Sequence, residues 1–96
     1  MSGPIYKSFR LKFTEAWYQL SQDEQNSLLA KVTEALEKAG GKSLVIYNSS
    51  WSAEDWDGFG LEEFPDIEAV QKHTQLLNEL NWLRYVRSST LLGVKM

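Results

Sequence analysis

Few residues in this chain have the types and spacing to do chemistry. His73 is the one histidine in 96 residues and there is no cysteine. An imidazole is the side chain whose ordinary titration suits proton transfer near neutral pH, although a lone His on a helix edge reads equally as a surface or capping residue. Arg10 and Glu62 are the next candidates. Each sits among aromatic residues on one parity of a strand-like stretch, and opposite charges sharing a cavity would pair, because an isolated buried charge is costly to desolvate. The plainer alternative is a solvated pair at a rim. Tyr6, Ser8, Tyr47, Trp51 and Trp56 offer surfaces on which a planar organic ligand could rest, and Gly58 and Gly60 take side chains away from the same wall and leave room. The same aromatics could instead close a dry contact between subunits.

Composition narrows the function classes. Without cysteine there are no disulfides, thiol nucleophiles or zinc–thiolate sites, and one His excludes a multi-His metal centre within a protomer, so no metal site is assigned. The Glu54, Asp55, Asp57 cluster reads as a solvated turn. Ten Lys and Arg against thirteen Asp and Glu give a net charge of −3 with the signs interspersed, which lacks the basic footprint of a nucleic-acid partner. No apolar run is long enough for a membrane partner, and MSGPIYKSFR lacks the apolar centre of a secretory signal, so a cytoplasmic protein is expected. A 43% hydrophobic content over this length predicts a single α+β domain, 1–96.

The elements that must position these residues follow from periodicity. Ile5 to Phe13 alternates as a strand, with Ile5, Phe9, Leu11 and Phe13 on one parity, Tyr6, Ser8, Arg10 and Lys12 on the other, and Lys7 as the break. Thr14 to Leu20 reads as a connection. Ser21 with Glu24 forms a capping box that opens a helix whose stripe is Leu28, Leu29, Val32, Leu36 and Ala39, closed by Gly40-Gly41. A second strand runs from Lys42 to about Ser50, with Leu44 and Ile46 opposite Val45, Tyr47, Ser49 and Trp51. After a turn over Ser52 to Asp57, a third strand reaches Phe64, with Phe59 and Leu61 opposite Trp56, Gly58, Gly60, Glu62 and Phe64. Asp66 after Pro65 can cap a helix from Ile67 to about Arg84, and Ser88 to Lys95 alternates as the last strand.

Strand, helix, strand, strand, helix, strand is the ferredoxin-like order: a four-stranded antiparallel sheet with both helices on one face. Parity then leaves Tyr6, Ser8, Arg10, Val45, Tyr47, Trp51, Trp56, Glu62 and Phe64 on the uncovered face. So much exposed aromatic surface predicts a second copy of the chain against it.

With that order in hand, the chain resembles the dimeric α/β-barrel superfamily. Phe64-Pro65-Asp66-Ile67-Glu68-Ala69-Val70-Gln71-Lys72-His73, followed by Trp82-Leu83-Arg84-Tyr85-Val86, is similar to the second helix of the antibiotic-biosynthesis monooxygenase branch. Trp17-Tyr18-Gln19-Leu20-Ser21-Gln22-Asp23-Glu24 is similar to the start of the first helix in darcynin-like proteins. The resemblance implies a homodimer around a pocket for a small, aromatic organic molecule, oxidised with no bound metal or flavin, so that no cofactor is expected. Haem-degrading relatives use a His of this helix as iron ligand together with an Asn and a Trp. His73 matches the first, but Ser8 stands where the Asn of the first strand belongs, which argues against haem chemistry. Two functions are expected to compete: a ligand-binding or monooxygenase-like protein with its site around His73, Arg10 and Glu62, and a non-catalytic dimerisation domain with a packed aromatic interface.

Overall fold

Residues 3–96 are described by a computed structural model. Its elements are β1 (Ile5–Phe13), α1 (Glu15–Tyr18), α2 (Gln22–Lys38), β2 (Lys42–Asn48), β3 (Gly58–Phe64), α3 (Ile67–Glu79), α4 (Trp82–Tyr85) and β4 (Val86–Gly93). The expected capping box forms: Ser21 Oγ accepts from the Glu24 amide at 3.1 Å and Glu24 Oε1 accepts from the Ser21 amide at 2.8 Å. Asp66 caps α3 by accepting from the Ala69 amide at 2.8 Å. Gly40 takes the left-handed conformation, φ 86°, that ends α2 and turns the chain into β2.

The strands pair antiparallel in the order β2-β3-β1-β4, which with two crossover helices is the ferredoxin-like α+β fold. Three local departures from expectation have physical causes. The connection after β1 carries the short helix α1, because Trp17 folds inward to stack on Phe13 with ring centroids 4.4 Å apart. The helix expected to reach Arg84 breaks at Asn81, whose φ of 55° is a conformation asparagine tolerates; the break aims Trp82 back at Trp17, edge-on at 6.3 Å. Strand β2 stops at Asn48, whose Oδ1 accepts from the Ser50 amide at 2.9 Å in an Asx turn, so strand parity is lost before Trp51.

Strand register decides which face each residue takes, and it corrects the expected faces of β3. Ile5 lies opposite Phe64, Lys7 opposite Glu62, Phe9 opposite Gly60 and Leu11 opposite Gly58. Phe64, fully buried, packs with Ile5, Leu36 and Val70, so its whole parity set turns toward the helices. Gly58, Gly60, Glu62 and Phe64 therefore line the helix-covered face, and Phe59 and Leu61 join Tyr6, Ser8, Arg10, Val45 and Tyr47 on the uncovered one. The parity sets are as expected, but burying the large Phe64 ring is worth about 2 kcal/mol or more and draws its set inward. A register shift between Ser43 and Val45 keeps both Ser43 and Ile46 on the helix-covered side.

The helix–sheet layer has two cores. One joins Leu36, Phe64, Ala69 and Val70; the other joins Trp17, Trp82 and Val86. Between them the layer is not filled. Ile46 points at the helices from β2 yet is 66% exposed, and Leu29 on α2 is 41% exposed. Helix α2 buries Leu36 in the first core and packs Leu28 and Val32 against the second, and a cleft lies between. Among the described residues no helix is long and apolar enough to cross a membrane.

Candidate functional site

That cleft has a volume of about 530 Å³ and runs between β1, β2 and β3 on one side and α2, α3 and α4 on the other. Its walls are mostly apolar, with Phe9, Leu11 and Ile46 from the sheet facing Val32 and Leu36 from α2 and Leu77 from α3. Gly60 helps shape it: a Cβ there would lie 2.8 Å from the Phe9 ring and against the Val45 carbonyl oxygen, so the missing side chain lets Phe9 lie flat on β3.

Three ionisable groups converge at one end of this apolar space. His73 projects from α3 and is 3% exposed, with its ring 5.3 Å from that of Phe64. Its Nδ1 lies 3.3 Å from Nζ of Lys7, itself 8% exposed and pointing inward from β1. Glu62 faces Lys7 directly across the β1–β3 ladder. Burial holds the His73 imidazole down at about 4, with the neighbouring Lys7 charge adding to the effect, so the ring is neutral at pH 7. Burial also lowers Lys7, opposed by the attraction of Glu62, and raises Glu62, opposed by Lys7. A neutral imidazole, an amine eased toward its free base and a carboxyl eased toward its acid thus set a hydrogen-bonding group, a nucleophile and a proton donor side by side.

Sequence reasoning passed over Lys7, which it read as a flaw in the alternation of β1. A lysine on the core-facing parity of a central strand was the signal, because a buried ammonium requires partners. Of the residues singled out from sequence, His73 and Glu62 meet here. Arg10 does not: it projects from the uncovered face opposite Phe59 and Ser89, and the expected Arg10–Glu62 ion pair is ruled out because the two lie on opposite faces.

The remaining candidates are spread over the uncovered face and its rim. Tyr6 donates its hydroxyl to Glu63 Oε2 at 2.8 Å under the Lys95 ammonium, 5.6 Å above its ring. Ser8 is exposed beside it. Tyr47 packs on Phe59 at 5.0 Å between centroids, and both are exposed. Trp51 stands in the β2–β3 loop, 83% exposed, its indole N–H donating to the Asn48 carbonyl at 3.0 Å. Trp56 lies under the Arg87 guanidinium at 5.4 Å. Gly58 and Gly60 open no room on this face, since they belong to the other. In the acidic turn, Asp57 accepts from the Phe13 amide at 2.8 Å, a bond that ties the loop to β1.

No protein-family model matches the sequence, and no curated relative matches it. Solved structures do. Chlorite dismutase from Candidatus Nitrospira defluvii, in complex with imidazole, superposes with a TM-score of 0.77 at 24% identity, covering 97% of this chain and 41% of that one. A point mutant of the same enzyme gives a TM-score of 0.78 at 24% identity with the same coverage. A protein of unknown function from Rhodopseudomonas palustris gives 0.70 at 17% identity, covering 100% of this chain and 85% of that one. The chain thus spans about two fifths of the chlorite dismutase length, 41%. These likenesses establish the ferredoxin-like fold and nothing finer. They do not single out the antibiotic-biosynthesis monooxygenase or darcynin branch.

Proposed function

We propose that this chain, one domain over 1–96, binds a small apolar or aromatic organic molecule in the cleft between sheet and helices, with Lys7, Glu62 and His73 making the polar contacts at its inner end. The observation that carries this reading is the meeting of buried Lys7 and His73 with half-buried Glu62 on a mostly apolar cavity of about 530 Å³, the combination expected of a ligand site rather than of a packed core. Lys7, eased toward its free base, is suited to take a proton from a phenolic or enolic ligand beside the neutral His73, the step from which a cofactor-independent monooxygenase reaction would start. The likeness to chlorite dismutase supports the fold that frames the cleft and no more, since the chain covers 41% of that enzyme.

The uncovered face supports a second element of the proposal. Tyr47, Phe59 and Leu91 are 52%, 43% and 73% exposed there, and a second copy of the chain against them would complete a dimeric barrel with Tyr6, Ser8 and Arg10 in the interface. A purely non-catalytic dimerisation domain is the alternative that this same exposed patch favours.

Titration with anilinonaphthalene sulfonate separates the two. The ligand-binding reading predicts one saturable site per chain, lost when the cleft is filled by Ile46→Trp and kept in the double variant Ser8→Arg, Leu91→Lys, whose residues face each other on the uncovered face away from the cleft. Loss in the double variant with retention in Ile46→Trp would move the site to the uncovered face. No saturable binding at all would favour the dimerisation domain.

A further inference from the structure

We propose that Lys7 is a carbonyl-capturing amine: its Nζ forms an imine with the aldehyde or ketone group of a molecule held in the cleft, with His73 and Glu62 moving the protons. This rests on the reading of the cleft as a ligand site and names the chemical class of what enters it.

The placement of Lys7 is what an amine nucleophile needs. Its Nζ is at the cavity wall yet withdrawn from water, and among the described residues its one hydrogen bond is to His73 Nδ1 at 3.3 Å. An ammonium carries three N–H donors, and no carboxylate oxygen lies within ion-pair distance of Nζ among the described residues. The Phe64 ring, 5.9 Å from Nζ, is a distant partner for the charge. A buried cation so thinly supported gives up its proton more readily than an exposed one, and burial pulls the group in that direction against the pull of Glu62. A desolvated lysine in an apolar pocket is one of the recognised ways in which an amine becomes nucleophilic near neutral pH.

The neighbours supply the rest of the step. The Nζ lone pair attacks the carbonyl carbon, and the C=O π pair moves to oxygen. The surplus proton on nitrogen passes to His73 Nδ1 and from there to that oxygen, giving the carbinolamine. The nitrogen lone pair then expels the hydroxyl, which leaves as water with a proton from the Glu62 carboxyl, a group that burial holds toward its acid form. The product is an iminium paired with the Glu62 carboxylate across the ladder. In sum, a carbonyl and an amine give an imine and one water, with no oxidant or reductant. The walls of Phe9, Leu11, Val32 and Ile46 suit an aromatic or branched aliphatic body on the carbonyl.

Reductive trapping tests this. The full chain is incubated with benzaldehyde and sodium cyanoborohydride at neutral pH, and adducts are located by peptide mass mapping. Lys7 is expected to label at least about tenfold faster than the exposed Lys72. His73→Gln is expected to slow labelling at Lys7 and leave Lys72 unchanged. Lys7→Arg, its folding checked by circular dichroism, is expected to label as the exposed lysines of the wild type do. Adducts spread over exposed lysines with Lys7 unlabelled, while anilinonaphthalene sulfonate still binds in the cleft, would overturn the imine and leave the cleft standing. Failure of both probes to bind would take the ligand reading down with it.

Discussion

Acidification should expose the cost of charging His73. The imidazole is buried between Lys7 and Phe64, and its pKa in the folded chain is about 4 against 6.5 for an exposed histidine. As pH falls the unfolded chain takes the proton first, so stability is lost from about pH 7 downward and the loss levels off below about pH 4. A gap of about 2.5 units corresponds to about 3 kcal/mol, a large share of the total stability of a small domain. Glu62 works the other way: its folded pKa is raised, so the folded chain takes up that proton first and gains stability as pH falls through that value. The comparison is therefore made against His73→Gln, which keeps Glu62 and cannot titrate at position 73. Urea unfolding followed by tryptophan fluorescence at pH 7, 6, 5 and 4 should show the wild type losing about 3 kcal/mol more than the variant. At the entropy typical of a chain this size, that is a difference of roughly 15 °C in Tm. Parallel stability curves for the two proteins would mean that His73 is solvated in the folded state, and the buried cluster would be wrong.

Further outcomes follow from the same geometry. Phe64→Ala removes a fully buried ring from the core under α2 and α3 and should cost about 3–5 kcal/mol in denaturant unfolding. Gly60→Ala sets a methyl against the Phe9 ring and the Val45 carbonyl and should cost about 1–3 kcal/mol by the same measure. Lys7→Met removes the charge that helps hold His73 down, so the imidazole titration followed by NMR should move upward, and an unchanged midpoint would deny the contact. Light scattering should find the wild type dimeric at micromolar concentration and the Tyr47→Arg, Phe59→Lys variant monomeric; a monomeric wild type would remove the barrel-type homodimer.

Element order was legible from sequence because the helix caps and the two periodicities announce themselves: Ser21 with Glu24, Gly40, and Asp66 after Pro65 each mark a boundary by a bond the backbone needs. Parity within β1 and β3 was legible too. Which parity faces inward was not, because that depends on the cross-strand partner, and nothing local to β3 says that Phe64 sits opposite Ile5 beneath Leu36. The error carried Glu62 to the wrong side and paired it with Arg10 instead of Lys7. Trp51 went astray for a different reason, since the Asx turn at Asn48 ends the alternation three residues before it. Asn81 could not be recognised as a helix break from a leucine-rich stretch that continues the helical period past it. His73 was found by residue type and Glu62 by its place among aromatics on one strand parity; Lys7 was hidden because a charge on a core parity looks like noise until its neighbours are known.

The most direct test is to map where a ligand sits. In a two-dimensional ¹H–¹⁵N spectrum titrated with anilinonaphthalene sulfonate, amide and side-chain shifts should concentrate at Lys7, Phe9, Ile46, His73 and Leu77, the residues around the cleft. Shifts gathered at Ser8, Arg10, Leu61 and Leu91, with the first set unmoved, would contradict the account.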